Sequence, residues 1–223
     1  GKLVGNHTIH TVDTEKIAEH ISNYDPLAAL WCVGVNPRPI GSCVSAHDKD
    51  IQIYKNLYID IEPIHAPGTN VTEDEKKNCL ELMEHCGWDF FSEQIDGDVI
   101  IADSGNGYHV CIAIPSYDNP MEFGNKLQTW YKTKLLPSTK ELRDRLSVRI
   151  DSTFSPSRQV KLYGTKKPIE GSRISSFPAV ERLESQDFRD YILSFPEKVS
   201  KKVSVDLDLK GNMPTLEAIE QKY

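Results

Sequence analysis

The chain has 223 residues, of which 39% are hydrophobic and 26% are charged, and its formal net charge is −7. These values are typical of a globular protein with one large domain or two small ones. No segment approaches the roughly 20 apolar residues of a membrane span, and an acidic chain is not typical of nucleic-acid-binding domains. We therefore expect a cytoplasmic protein without a membrane partner.

The cysteine content argues against a zinc module. The five cysteines are an odd number at irregular spacings, and no two of them form a C-x2-C pair. Structural zinc sites need four ligands, which such pairs usually supply. We therefore expect no zinc and a reducing compartment, with buried, inert thiols at Cys32, Cys43, Cys79, Cys86 and Cys111.

The first half of the chain is predicted to contain helices and strands in alternation. Asp13 or Thr14 would cap a first helix, and acidic residues after Thr72 open another. An apolar run that ends at Asn36-Pro37-Arg38-Pro39 predicts a buried strand. The predicted elements are a helix through Ile21, a buried strand over 30–35, at least one strand within 51–62, a loop over 63–69 and a helix from Thr72 to about Gly87.

The second half has a β-hairpin as its clearest signal. Two apolar runs, 98–103 and 108–114, flank Ser104-Gly105-Asn106-Gly107, whose glycines suit a tight turn. The interspersed order of elements predicts an α/β or α+β fold with a mixed sheet, and of the two we expect α+β. We expect one folded domain over 1–196, and a peripheral segment or linker to a further domain over 197–223. Further predicted elements are helices over 123–134, 139–145 and 185–195 and a short strand over 159–163.

Two carboxylates lie side by side on one face of a predicted strand. In the run Leu57-Tyr58-Ile59-Asp60-Ile61-Glu62, alternate side chains point to opposite faces. Asp60 and Glu62 therefore share one face, and an apolar set shares the other. Adjacent carboxylates in a sheet need a positive partner, and hard divalent cations are the usual one. The plainer alternative is a pair of exposed strand carboxylates.

The hairpin offers a candidate phosphate site. Its glycine turn presents approachable backbone N–H groups beside the hydroxyl of Ser104. His109 lies on the strand face opposite Tyr108 and Val110, so it is expected to point away from the core. A glycine turn with a serine and a histidine suits a phosphate group. The alternative is a tight turn followed by a structural histidine.

A basic segment follows Asp151, which ends a short apolar run. Residues 151–173 carry five basic and two acidic side chains, a local charge of +3 in an acidic chain. Arg158 and Lys161 are unusual on a structural strand but suit a triphosphate, and Gly164 permits close backbone approach. The alternatives are a solvated surface run of charges, a capping role for the aspartate and an edge strand that carries lysine.

Together, and in this order, these segments resemble the three motifs of the archaeo-eukaryotic primase superfamily, the primase-polymerases. The hDhE strand of that family matches 57–62, and its s-G-x-G-x-H hairpin matches 104–109. Its third-motif aspartate, followed by an Arg…Lys-x-x-Gly-Thr segment, matches 151–165. The resemblance covers residues 28 to about 175. The strand end at 33–38 also resembles primase-polymerases of phages, plasmids and other mobile elements.

The resemblance implies an RRM-like catalytic half joined to an N-terminal α/β unit, two intertwined halves within residues 1–196. It implies a DNA primase, a DNA polymerase or both, with DNA template, primer and deoxyribo- or ribonucleoside triphosphates as partners. A fused or associated helicase or other replication or defence domain is also implied. The implied roles are two Mg²⁺ or Mn²⁺ ions on Asp60, Glu62 and Asp151, nucleotide contacts at Ser104, Gly107, His109, Arg158, Lys161 and Lys166, and template or nucleotide contacts at Asn36 and Arg38.

Two other functions would use parts of the same pattern. A metal-dependent nuclease would use the same carboxylates without a nucleoside triphosphate, but it would not need Arg158, Lys161 or the glycine hairpin. A non-catalytic RRM-like module would present aromatic residues on its sheet face, where this sequence places carboxylates and His109. For a polymerase, sugar preference would depend on a side chain near the ribose, with Tyr54 and Tyr58 as candidates.

Overall fold

The protein has a mixed α+β fold, as the sequence predicts. The computed structural model describes residues 13–23, 32–37, 47–66, 69–89, 95–151, 154–165, 173–178 and 183–197. The helices in these ranges are α1 (Thr14–Ser22), α2 (Glu73–Asp89), α3 (Pro120–Trp130), α4 (Leu136–Ser138), α5 (Lys140–Leu146) and α6 (Gln186–Leu193). The strands are β1 (Cys32–Gly34), β2 (Tyr54–Pro63), β3 (Val99–Asp103), β4 (Tyr108–Tyr117), β5 (Val148–Asp151) and β6 (Gln159–Lys161).

The strands form a four-stranded sheet and a separate two-stranded ribbon. The sheet has the order β3-β4-β2-β5, and every neighbouring pair is antiparallel. Along the chain its elements follow one another as β2-α2-β3-β4-α3-β5, with α4 and α5 between α3 and β5. The ribbon pairs β1 with β6, also antiparallel. Strand β2 is therefore central, between the hairpin strand β4 and the short strand β5.

One face of the sheet carries the hydrophobic core. Leu57, Ile59 and Ile61 alternate along β2 and are each at most 2% exposed. Helices α2 and α3 cover this face, and burying each large apolar side chain contributes about 1.5–3 kcal/mol. The core residues from the two helices include Cys79, Leu82, Met83, Phe123, Leu127 and Trp130.

Asn36 fastens the ribbon to the sheet. Its side-chain oxygen accepts hydrogen bonds from the backbone N–H groups of Lys55 (2.8 Å) and Asn56 (3.0 Å), and its nitrogen donates to the Pro156 carbonyl (3.2 Å). The Val35 N–H donates to the Arg158 carbonyl (2.9 Å). These bonds hold the ribbon above the face of the sheet opposite the core, which creates a cleft between the two.

Most predicted elements are confirmed, but two predictions are wrong: the mixed sheet and the burial of the first strand. Among the described strands every pairing is antiparallel, because β4 lies between β2 and β3, the two strands that helix α2 connects. In the described part of the predicted strand, Cys32–Gly34 is exposed because it pairs with β6 in a ribbon instead of entering the core. The helix predicted over 123–134 ends at Trp130 as an α-helix and continues as a π-helical turn over Tyr131–Leu135. Residues 198–223 lie outside the described residues, so the boundary at 196 stays a prediction. Among the described helices, none has the length and apolar character to cross a membrane.

Candidate metal and phosphate site

Three carboxylates meet on the cleft side of the sheet. Asp60 on β2 lies opposite His109 on β4 and, on its other side, opposite Asp151 on β5. Glu62 follows two residues later on the same face. Oxygens of Asp60, Glu62 and Asp151 all lie within 4.8 Å of one another. The antiparallel register of β5 thus brings the third aspartate beside the first two, as the family resemblance implies.

Arg149 neutralises part of this cluster, and sequence reasoning missed it. Its Nε and Nη2 atoms donate to Glu62 Oε1 at 2.9 and 2.5 Å, and its Nε lies 3.9 Å from Asp151 Oδ1. The hydrogen bond to Glu62 raises the pKa of the Arg149 guanidinium above its ordinary value. A signal was available in the sequence: Arg149 stands two residues before Asp151, so both side chains point to the same face.

The donor set suits a hard divalent cation. Carboxylate oxygens are the ligands that Mg²⁺ and Mn²⁺ prefer, and in this cluster three of them come from two adjacent strands. The three side chains keep between a sixth and a half of their surface exposed, so the oxygens remain accessible from the cleft. Asp60, Glu62 and Asp151 therefore fit a divalent metal site.

His109 lies at the floor of the cleft, only 5% exposed. Its Nε2 is 3.6 Å from Asp60 Oδ1, and its Nδ1 is 2.6 Å from the hydroxyl oxygen of Tyr163. Burial, with Lys161 and Arg158 nearby, lowers the pKa of His109 to about 4, while burial raises the pKa of the Tyr163 phenol. At neutral pH, His109 is therefore uncharged and Tyr163 keeps its proton.

The glycine hairpin between β3 and β4 is held in a fixed shape. Ser104 Oγ accepts from the Gly107 N–H (3.0 Å), and Asp103 Oδ1 accepts from the Gly105 N–H (2.6 Å). Lys76 in turn holds the other oxygen of Asp103 at 2.6 Å. A Cβ on Gly107 would lie 2.1 Å from the Ile61 carbonyl oxygen, so only glycine lets the hairpin pass this close to β2.

The ribbon supplies cations to the opposite wall of the cleft. Arg158 and Lys161 both line it, and both are close enough to His109 to lower its pKa. The Arg158 Nε atom is buried and has no hydrogen-bond partner among the residues that the structure describes. A Cβ built on Gly105 would be 3.1 Å from Lys161 Nζ, so this ammonium lies against the glycine turn. The two cations thus face the carboxylates across the cleft.

Most of the predicted site residues lie together around this cleft, which has a volume of about 180 Å³. Asp151 joins the carboxylate cluster at one end, and Gly107 supports the hairpin from behind. Arg38 and Lys166 lie outside the described residues. The lining residues are Cys32, Tyr58, Asp60, Glu62, Ser104, Asn106, His109, Arg158, Gln159, Val160 and Lys161.

The fold changes the interpretation of two residues that the sequence suggested as ligand contacts, Asn36 and Tyr54. Asn36 is 5% exposed and its amide is engaged by backbone groups, so it has a structural role, and its contact with template or nucleotide stays a prediction. Tyr54 is buried against Phe123 in the core, whereas Tyr58 lines the cleft. Strand alternation alone would place Tyr54 on the same face as Tyr58 and Asp60. The irregularity in β2 between Tyr54 and Asn56 shifts the register, so Tyr54 instead lies in the core.

Comparisons of this chain with protein-family models, with curated proteins and with solved structures gave no match. A function must therefore be inferred from the chemistry of the cleft. It combines a cation site, a cationic wall, a glycine turn and a neutral histidine within one small volume. Such a set can bind a metal-bound polyphosphate, because the metal and the basic side chains would neutralise different parts of it.

Proposed function

We propose that this protein is a template-directed nucleotidyltransferase of the primase-polymerase type, acting as a DNA primase, a DNA polymerase or both. The observation that carries the proposal is the convergence of Asp60, Glu62 and Asp151 on the cleft that Arg158 and Lys161 also line. Three sequence segments that resemble separate family motifs thus meet at one place. A nuclease would require the carboxylates, but it would have no need of the facing cations.

The topology of the sheet supports the same proposal. The succession β-α-β-β-α-β with an antiparallel sheet in the order β3-β4-β2-β5 is the arrangement expected of an RRM-like or ferredoxin-like unit. In this arrangement the two central strands, β2 and β4, carry the functional side chains on the face opposite the helices. Asp60 and His109 are direct neighbours on these two strands.

Each residue has a definable task in nucleotidyl transfer. Asp60, Glu62 and Asp151 would hold Mg²⁺ or Mn²⁺, which when bound supplies activation of a 3′-hydroxyl and charge neutralisation at the phosphates. Phosphoryl transfer otherwise needs mainly positioning and electrostatic stabilisation. Arg158 and Lys161 would stabilise the negative charge that builds up on the pyrophosphate as the strand's 3′-oxygen bonds to the α-phosphorus.

Neutral His109 would bind the triphosphate as a hydrogen-bond donor. Its Nε2 faces the Asp60 carboxylate, which only accepts hydrogen bonds, so the proton of the uncharged ring belongs on Nε2. Nδ1 then accepts from the Tyr163 hydroxyl. In this tautomer the Nε2–H points into the cleft, where a phosphate oxygen would accept from it. Tyr163 is therefore a positioning residue for His109.

The dimensions of the cleft favour the phosphate end of a nucleotide. Its volume of about 180 Å³ is below the roughly 300–1,000 Å³ of pockets that enclose a whole small-molecule ligand. The triphosphate and metal would occupy the cleft, and the sugar and base would lie at its open side, where they can pair with a template. Of the two candidate tyrosines, Tyr58 lines the cleft, which supports Tyr58 as the residue that would contact the sugar.

The test is strand extension on a labelled, primed DNA template, with an unprimed template and both sugar types of triphosphate alongside. We expect the wild type to lengthen the strand only when Mn²⁺ or Mg²⁺ and triphosphate are both present, and Asp60→Ala to lose this activity. Asp74→Ala, which removes an exposed carboxylate from the first turn of α2, is the matched control and should extend normally. Shortening of the strand without triphosphate would instead establish a nuclease, and binding without either reaction would establish a non-catalytic module.

A further inference from the structure

Arg149 lies against one side of the carboxylate cluster, where it pairs with Glu62. It is the register partner of Glu62 across β2 and β5, and both side chains lie on the cleft face. Two of its nitrogens converge on the single oxygen Glu62 Oε1, and the guanidinium also approaches Asp151. One positive group is thus shared between two of the three carboxylates.

A guanidinium and a divalent cation at this distance oppose each other. Both are positive, both would draw on Glu62, and the cluster within which they would meet spans only 4.8 Å between its oxygens. Repulsion between like charges at such a separation is substantial even near a protein surface. The Arg149 side chain is 54% exposed, so it can rotate away from Glu62 into solvent without unpacking the core.

We propose that Arg149 is an internal counter-ion that holds Glu62 when the site contains no metal and is displaced from it when a divalent cation binds. The inference rests on the metal site of the proposed function. Arg149 would then have two effects. It lowers the affinity of the site for metal, and in the metal's absence it reduces the repulsion among three adjacent carboxylates in the folded sheet. Arg149 is a positioning residue in this account and has no contact with the reacting atoms.

The test measures Mn²⁺ affinity, by electron paramagnetic resonance of unbound Mn²⁺, without triphosphate and without any activity assay. Arg149→Gln should bind Mn²⁺ at least about threefold more tightly than the wild type, because metal no longer has to break the Arg149–Glu62 ion pair. Arg149→Lys keeps the positive charge and should stay near the wild-type affinity.

Arg145→Gln is the matched control. Arg145 pairs with Glu81 at 2.9 Å on the helical side of the molecule, its side chain is 67% exposed, and its substitution changes the net charge by the same amount. It should leave Mn²⁺ affinity unchanged. Unchanged or weaker Mn²⁺ binding by Arg149→Gln would overturn the inference, since Arg149 would then merely orient Glu62 or play no part. If the wild type itself binds no Mn²⁺, the proposed metal site fails and the inference fails with it.

The wild type provides a second test that needs no variant to fold. Nuclear magnetic resonance of arginine Nε–H groups follows the hydrogen bond to Glu62 directly. We expect the Arg149 Nε–H signal to shift and to exchange faster with solvent as diamagnetic Mg²⁺ is added. An Arg149 signal that is unchanged at saturating Mg²⁺ would contradict displacement, even if Mn²⁺ affinities followed the expected order.

Discussion

The two faces of strand β2 are built from alternate residues of one ten-residue segment, yet they do opposite things. Leu57, Ile59 and Ile61 are almost fully buried under helices α2 and α3. Asp60 and Glu62 point the other way, keep 21% and 17% of their side-chain surface exposed, and lie in a cluster of like charges. The first face stabilises the protein, and the second gathers groups that repel one another unless a cation is present.

Because of this difference, the residues that stabilise the fold and the residues of the candidate site lie on opposite faces of the sheet. Removing a buried apolar side chain leaves a cavity, whereas removing a clustered carboxylate relieves repulsion. Substitutions on neighbouring residues of β2 should therefore fall into two classes with little overlap. The same division applies to β4, on which Val110 and Ile112 belong to the core and His109 belongs to the cleft.

The largest contrast is expected between Asp60→Ala and Ile59→Ala. Asp60→Ala should lower the extension rate by about a thousandfold or more, because it removes an electrostatic group at the reacting phosphates. Its free energy of unfolding should stay within about 1 kcal/mol of the wild type. Ile59→Ala should instead lose about 2–5 kcal/mol of stability, measured by urea denaturation. Equal destabilisation by the two substitutions would remove the distinction between the faces.

Gly107→Ala should lower stability and activity together, because Gly107 lies where the hairpin of the candidate site packs against strand β2. The added Cβ would collide with the Ile61 carbonyl oxygen, so the hairpin and β2 would have to move apart. We expect a loss of more than about 2 kcal/mol in unfolding free energy together with a loss of extension.

The control for Gly107→Ala is Gly34→Ala, at the end of strand β1. At Gly34 the nearest atom to an added Cβ is the Asn36 carbonyl oxygen at 3.7 Å, an ordinary contact. Its stability should stay near that of the wild type. Similar denaturation curves for the two variants would mean that the close approach at Gly107 has no energetic weight.

Lys161→Ala should weaken substrate binding and leave the packing of the hydrophobic core unchanged. Loss of a charged partner for the triphosphate should raise KM about tenfold, equivalent to about 1.4 kcal/mol. Thermal unfolding should be nearly unchanged, because Lys161 is only half-buried in the two-stranded ribbon. Lys140→Ala removes an exposed lysine paired with Asp144 on α5 and should leave KM unchanged.

Tyr163→Phe should give the smallest effect. It removes one hydrogen bond to His109, worth about 0.5–1.5 kcal/mol, so KM for the triphosphate should rise about two- to tenfold. The nitrogen chemical shifts of His109 should show a smaller fraction of the Nε2–H tautomer. Tyr117→Phe, which removes a hydrogen bond to Glu122 far from the cleft, is the control and should alter neither. An unchanged tautomer in Tyr163→Phe would contradict the positioning role.

Much of this organisation could be predicted from residue patterns. Alternation along β2 separates Ile59 from Asp60 without any structure, and the glycine turn identifies the hairpin that brings His109 beside them. The α+β class follows from the order of elements. These are local signals, since each depends on residues within a few positions of one another.

The rest depended on pairings between distant segments, which a single sequence does not specify. That β1 joins β6 in a ribbon, with Cys32 exposed instead of buried, follows from the Asn36 contacts with the start of β2 and with Pro156. The hydrogen bond between Tyr163 and His109 likewise requires the ribbon to fold back over the sheet. Arg149 was partly predictable. The sequence shows that its side chain shares a strand face with Asp151, but it does not show that Arg149 pairs with Glu62 across the sheet.

The most direct test of the account is Mn²⁺ binding to the wild type and to Asp151→Asn. Asp151 reaches the cluster only through the pairing of β5 with β2, so it tests convergence itself. We expect the wild type to bind Mn²⁺ and Asp151→Asn to bind at least about tenfold more weakly, while Asp144→Asn, on the exposed face of α5, binds like the wild type. Equal affinity of the wild type and Asp151→Asn would contradict a shared metal site formed by the three carboxylates.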